Sequence, residues 1–181
     1  AWLVPVILDS IEGLTERLRV GSTVVDIGCG AGVAASVIAE AFPASTVVGI
    51  DPSSHAMAAA RDRAAAAGLD NLSFRPGVFD DLGDLDGVDL LLTLDVIHDL
   101  PRPGAAVRAA RSCLADDGVW LVADIKTQGG LEANRRIPVL PLMYGMSILY
   151  CMSSAMSEPG GAGLGTLGLT VEHFAELASA A

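Results

Sequence analysis

Val24-Val25-Asp26-Ile27-Gly28-Cys29-Gly30-Ala31-Gly32 joins an apolar, β-branched run to three glycines spaced two apart. An Ala-rich stretch, residues 31–41, follows with the composition of a helix. Strand, glycine turn and helix in that order build the ligand crevice of an open α/β sheet. Glycine lets the backbone turn tightly and lets a ligand approach with no Cβ in the way. The helix N-terminus beyond it offers unpaired N–H groups and a partial positive charge. A dinucleotide fingerprint requires G-x-G-x-x-G. Here the third glycine comes one residue early, at Gly32, and Val33 stands where that fingerprint has glycine. Asp26 lies two residues before the first glycine, so the pattern is D-x-G-x-G-x-G. A tight strand-to-helix turn with no ligand is the bland alternative.

Outward from this loop the chain alternates. Apolar steps of three and four at Leu3, Ile7, Ile11, Leu14 and Leu18 predict one leading helix within residues 1–20, closed by Gly21. Strands are expected at 23–27, 46–50, 72–74, 88–94 and 119–123, and helices at 31–41, 55–67 and 105–115. The run 88–94 is almost wholly apolar, as in a strand buried on both faces. Such βαβ alternation predicts a Rossmann-like, doubly wound parallel sheet with helices on both faces. Right-handed crossovers give strand order 3-2-1-4-5. Residues 126–168 break the pattern and are expected to be an insertion on the substrate side. Within it, residues 137–156 carry no charge, which invites a membrane reading. Pro138, Pro141 and three serines argue instead for a buried helix. Met143, Met146, Met152 and Met156, with Tyr144 and Tyr150, would line an apolar site or simply fill core.

The whole chain of 181 residues is read as one domain. It is 51% apolar and 18% charged, with 22 acidic and 11 basic residues for a net charge of −11. Mean hydropathy is +0.50. Nucleic-acid binding needs clustered Lys and Arg to displace counterions, so a nucleic-acid partner is not expected, nor is a membrane. Cys29, Cys113 and Cys151 have no C-x-x-C spacing, which suggests neither a disulfide framework nor a metal site. A cytoplasmic location fits. The opening AWLVPVILDS has no basic n-region and does not read as a signal peptide. It reads as a piece of a longer protein.

The D-x-G-x-G-x-G loop resembles that of the class I S-adenosylmethionine (SAM) dependent methyltransferases. Three further stretches agree: Asp51, the acid ending the second strand, 21 residues after Gly30; the block Leu92-Thr93-Leu94-Asp95-Val96-Ile97-His98-Asp99; and Cys113 to Val122, which resembles the family's helix, glycine turn and fifth strand. The resemblance covers about residues 20–125. It implies that Asp26, Gly28, Cys29, Gly30 and Gly32 surround the methionine end of SAM, which becomes S-adenosylhomocysteine. Asp51 and Pro52 would lie at the ribose, where a carboxylate can accept both hydroxyls. Many relatives place an Asp after the glycine of the third strand's loop, against the adenine amine. Here Gly77 is followed by Val78, so Asp80 or Asp81 is the substitute and Phe79 the cover for the ring. Asp95 would border the same site.

The sharper resemblance is to small-molecule methyltransferases with an N-terminal winged-helix domain, which is absent here. Some use a His-Asp pair after the fourth strand, with the His as general base, and an acid ending the fifth strand to orient it. His98-Asp99 and Asp124 stand at those places. An unperturbed imidazole, with a pKa of about 6.5, would be largely neutral at pH 7. The family ends in an antiparallel strand pair that this sequence lacks. The resemblance implies methyl transfer from SAM to a small-molecule acceptor, a hydroxyl, with no metal required and a homodimer open for the full-length protein. Two rivals remain: a catalytically degenerate SAM-binding or regulatory domain, and a nicotinamide-dependent oxidoreductase, against which Val33 argues.

Overall fold

The computed structural model describes residues 2–181. The chain divides into two compact units, one running to Thr93 with Ser112–Leu121 added, the other Leu94–Arg111 with Val122–Ala181.

The first unit holds most of a five-stranded sheet. Its strands are β1 (Thr23–Ile27), β2 (Thr46–Asp51), β3 (Leu72–Pro76), β4 (Val88–Leu94) and β5 (Leu114–Ala123), in order β3-β2-β1-β4-β5. This is the expected order. β1 is parallel to both β2 and β4, and Asp26 lies opposite Gly49 on one side and Leu92 on the other. Both neighbours are strands, so Val24, Val25, Leu90, Leu91 and Leu92 are fully buried. The fifth strand starts earlier than expected and takes up Asp116-Asp117-Gly118. Trp120 Nε1 donates to Thr93 Oγ1 at 3.2 Å, linking β5 to β4.

The leading segment differs from a single helix. It forms a π-helical turn, Leu3–Ile7, a 3-10 turn, Leu8–Ser10, and then α1, Leu14–Val20. Ile11 is extended and Gly13 has φ +73°, so the chain turns between the pieces. The apolar spacing still serves its purpose, because Leu8, Leu14 and Leu18 are buried in the same cluster as Ile38, Phe42 and Val47.

Helices α2 (Val33–Ala41) and α3 (Ser54–Ala67) follow β1 and β2. Ser53 caps α3 by accepting from the Ala56 N–H, and Gly68 ends it at φ +64°. Asn71 ties the far ends of this unit together. Its Nδ2 donates to the carbonyls of Ala39, Phe42 and Ser45 at 3.1, 3.2 and 2.9 Å. These carbonyls belong to the end of α2 and the turn into β2, where no helical N–H remains to satisfy them.

In the second unit, a 3-10 turn (Ile97–Asp99) leads to α4 (Pro103–Cys113), which belongs to this unit up to Arg111, and α5 (Gly130–Asn134), α6 (Leu140–Met146), α7 (Met152–Ala155) and α8 (Val171–Ser179) follow. A π-helical turn, Ser147–Cys151, joins α6 to α7. The expectation of a buried helix over 137–156 does not hold. Leu140, Ser147 and Ala155 form one buried stripe, while Leu142, Ile148, Leu149 and Tyr150 are exposed. Helical spacing lets one narrow stripe pack and leaves the other side in solvent although it is equally apolar. The methionines split the same way, with Met143 and Met152 half-buried and Met146 and Met156 exposed. Among the described residues no helix is long and apolar enough to cross a membrane.

Replacing Asn71 with Ala removes the side-chain donor from the Ala39 and Ser45 carbonyls, while Phe42 O keeps the Ser45 N–H at 3.0 Å. Stranding buried acceptors costs about 1–3 kcal/mol. A lowered urea midpoint with an unchanged slope is the expected result for Asn71→Ala, measured by circular dichroism.

Candidate active site

The glycine loop hangs from the end of β2. Gly28 and Cys29 both donate their N–H to Ile50 O, at 2.8 and 3.1 Å, and the Gly30 N–H donates to Asp51 Oδ2 at 2.9 Å. Asp51 Oδ1 accepts from the Ser53 N–H at 2.9 Å. Both carboxylate oxygens are thus fixed by backbone while the side chain stays half-exposed. Each oxygen keeps a lone pair for a further donor.

The three glycines do different work. All have positive φ: +75° at Gly28, +53° at Gly30 and +72° at Gly32. A Cβ on Gly30 would meet no atom within 4 Å, whereas one on Gly32 would fall 2.4 Å from Phe74 Cζ. Gly30 therefore leaves open space at the loop, and Gly32 makes room for a protein ring. Cys29 faces inward, 2.9 Å from where a Cβ on Gly49 would stand. Burial, helped by Asp26 and Asp51, pushes its thiol up to about 12, so it is no nucleophile at neutral pH.

Asp26 is only 2% exposed, and its Oδ2 has no hydrogen-bond partner. Burial raises its pKa to about 7, against a backbone hydrogen bond from Ala35, with the Asp51 charge adding to the rise. An orphaned carboxylate oxygen beside an open loop suits a ligand that brings a donor.

Of the candidates for the adenine end, Phe79 is buried and Asp80 and Pro52 are exposed. Asp81 Oδ2 accepts from the Val78 N–H at 2.8 Å, so that carboxylate is already engaged.

The second unit carries the histidine. β4 is followed by Asp95, the only described non-glycine residue with positive φ, at +64°. The turn that follows buries His98, whose side chain is 2% exposed. Its Nδ1 lies 2.6 Å from Asp124 Oδ1 and 3.7 Å from Asp95 Oδ1. Its Nε2 lies 3.1 Å from Asp99 Oδ1. Asp124 Oδ1 also accepts from the Ile125 N–H at 2.7 Å, which fixes it toward the ring. Burial works against the charged imidazole, but the Asp124 hydrogen bond and the charges of Asp124, Asp99 and Asp95 outweigh it. The net pKa stands above the ordinary histidine value, where sequence alone suggested an unperturbed one.

A glycine loop then folds back on this turn. The Ala162 N–H donates to Pro101 O at 2.9 Å and the Gly165 N–H to His98 O at 3.1 Å. Cys151 Sγ lies 3.0 Å from Thr166 Oγ1, and it shares a 4.8 Å neighbourhood with His98 and Asp99 ligand atoms. Sequence reasoning missed Cys151, because it lies far from His98 along the chain and in no recognisable spacing.

A parallel sheet ordered 3-2-1-4-5, with a glycine loop after β1 and an acid closing β2, defines a Rossmann-like ligand-binding domain. Residues 18–144 match the family model described as "Methyltransferase domain", and the chain belongs to the class I SAM-dependent methyltransferases. It is 31% identical over 123 residues to a ubiquinone biosynthesis O-methyltransferase of Neisseria meningitidis, covering 67% of this chain and 50% of that protein. It is 32% identical over 154 residues to methyltransferase ungE' of Aspergillus campestris, covering 76% and 44%. The chain thus spans about half the length of these curated relatives. A putative sarcosine dimethylglycine methyltransferase from Galdieria sulphuraria shares the fold, with TM-score 0.71 and 17% identity over 96% of this chain and 58% of that one. The cofactor of the family is SAM, and the open space at Gly30, the free lone pairs of Asp51 and the orphaned oxygen of Asp26 fit such a ligand.

Asp26 sets a pH dependence. Its folded pKa of about 7 lies above the ordinary 3.8, so the unfolded chain ionises first and stability falls as pH rises from about 4 to about 7. The full effect is of the order of 4 kcal/mol. Asp26→Asn should unfold later than wild type at pH 8 and match it near pH 4. Denaturant titrations at both pH values check this, and equal midpoints at pH 8 would contradict it.

Proposed function

We propose that this chain is the catalytic domain of a small-molecule methyltransferase that transfers the methyl group of SAM to a hydroxyl, with His98 as the general base. The observation that carries the reading is the 2.6 Å contact between His98 Nδ1 and Asp124 Oδ1 in a buried turn. An imidazole held by a carboxylate through Nδ1–H keeps Nε2 as the proton acceptor, in a fixed orientation.

SAM supplies a methyl already activated by its sulfonium charge. The protein then has to hold the two reactants, keep water out and remove the acceptor's proton. Gly28, Cys29, Gly30 and Gly32 form the loop for the methionine end, and Asp26 offers it a carboxylate oxygen. Asp51, beside Pro52, receives the ribose hydroxyls. Phe79, Asp80 and Asp95 complete the cofactor set read from the sequence. His98 Nε2 takes the hydroxyl proton, and Asp124 Oδ1 stabilises the imidazolium that results. The raised pKa makes the neutral ring a stronger proton acceptor, a form reached only at a pH above the ordinary histidine range. A small-molecule acceptor rather than nucleic acid is supported by the net charge of −11. The relative named as an O-methyltransferase supports oxygen as the accepting atom.

General-base assistance is worth about 10²–10⁴ in rate. His98→Ala should keep SAM affinity and lose catalysis on a hydroxyl acceptor by that factor, with a smaller loss for Asp124→Asn. Because the imidazole pKa is raised, the wild-type rate should begin to fall at a pH above the ordinary histidine range as the medium is acidified. A wild-type rate in His98→Ala places the base elsewhere. Asp51→Ala, by contrast, should weaken SAM binding about tenfold or more, since each charge-assisted bond is worth about 1.5–3 kcal/mol. Calorimetry with unchanged affinity removes the ribose assignment.

A further inference from the structure

We infer that His98 Nε2, Asp99 Oδ1 and Cys151 Sγ form a site for a divalent transition ion of the Zn²⁺ class, and that the ion silences the methyltransferase by taking the nitrogen that accepts the acceptor's proton. The inference rests on the general-base reading for its effect, but not for the site itself.

The donor atoms are already together. One ligand atom from each of the three residues lies within 4.8 Å of the others. Nε2 and Asp99 Oδ1 are 3.1 Å apart. That oxygen is buried and has no hydrogen-bond partner beyond its 3.1 Å approach to Nε2, so an ion between the two would satisfy both atoms. Imidazole, carboxylate and thiolate together are a zinc donor set, whereas Mg²⁺ and Ca²⁺ prefer oxygen alone. Three protein ligands leave a fourth position for water.

The surroundings are those of a ligand site as well. A metal-bound imidazole needs its other nitrogen donating to a carboxylate or carbonyl, and Nδ1 sits 2.6 Å from Asp124 Oδ1. Thr166 Oγ1, 3.0 Å from Cys151 Sγ, can donate to the thiolate. The Thr166 N–H is anchored by Ser147 Oγ at 3.0 Å, and the Gly165 N–H by His98 O. The other grouping, Asp95, His98 and Asp124, would have to give up the short Nδ1 bond and use the exposed Asp95, so it is the weaker candidate. Binding forms Zn–N, Zn–O and Zn–S bonds, removes water from the ion and releases to solvent the Cys151 thiol proton and, where His98 is protonated, its Nε2 proton. Burial holds that thiol in its protonated form, and Asp99 adds to this against the Thr166 hydrogen bond.

Equilibrium dialysis of the chain against Zn²⁺, with metal analysis, should show one tight equivalent. Cys151→Ser and Asp99→Asn, with native circular dichroism, should each weaken it at least tenfold. Co²⁺ should give a thiolate-to-metal absorption band that disappears in Cys151→Ser. Methyl transfer should fall as Zn²⁺ fills the site, and Cys151→Ser should need at least ten times more Zn²⁺ for the same loss. Absence of a Cys151-dependent equivalent or band overturns the site. Full activity of the Zn²⁺-loaded wild type overturns the silencing. If His98→Ala transfers methyl at the wild-type rate while the wild type keeps its Co²⁺ band, the base assignment alone fails.

Discussion

The carbonyl of Ile50 holds the first unit's functional end in place. Two successive N–H groups, of Gly28 and Cys29, converge on it, and the next residue along β2, Asp51, takes the N–H of Gly30. The loop after β1 is therefore built against the end of β2 and depends on the register of that pair. Slipping β2 by one residue would turn Asp51 to the other face and move the carbonyl away from the loop. The full burial of Val47 and Ile50 on β2 makes such a slip costly. Core packing thus fixes the position of a carboxylate whose own task is polar.

Much of this could be read from the residues. The alternation of apolar strands with Ala-rich helices is a pattern of period and punctuation, and it gave the sheet order. Gly28, Gly30 and Gly32 could be seen as a group, but not their division of labour. That division depends on Phe74, which reaches Gly32 from a strand more than forty positions later. Asn71 gave no signal either, because its three carbonyls are backbone groups of unremarkable residues. Residues 137–156 misled for the opposite reason. Composition reports how apolar a segment is, not which of its sides finds a neighbour, and only the stripe through Leu140, Ser147 and Ala155 did.

At the histidine, sequence adjacency named His98, Asp99 and Asp124 without stating the geometry. The folded turn puts carboxylates at both ring nitrogens and buries the ring. A histidine so placed is more basic than one in water, because nearby negative charge outweighs the loss of solvent. Cys151 joins the group only because the π-helical turn, Ser147–Cys151, and the glycine loop at 160–165 lie along the same unit. Long-range juxtaposition of this kind leaves no spacing to recognise in the chain.

Asp26 also has a consequence for heat. A carboxyl with a pKa of about 7 is divided between its protonated and ionised forms at neutrality. A ligand that offers Oδ2 a donor or a positive charge selects the ionised form and expels the proton into the medium. The buffer then takes up that proton with its own ionisation enthalpy. Heats of ligand binding to this chain will therefore differ between phosphate and Tris at one pH, while the affinity stays the same.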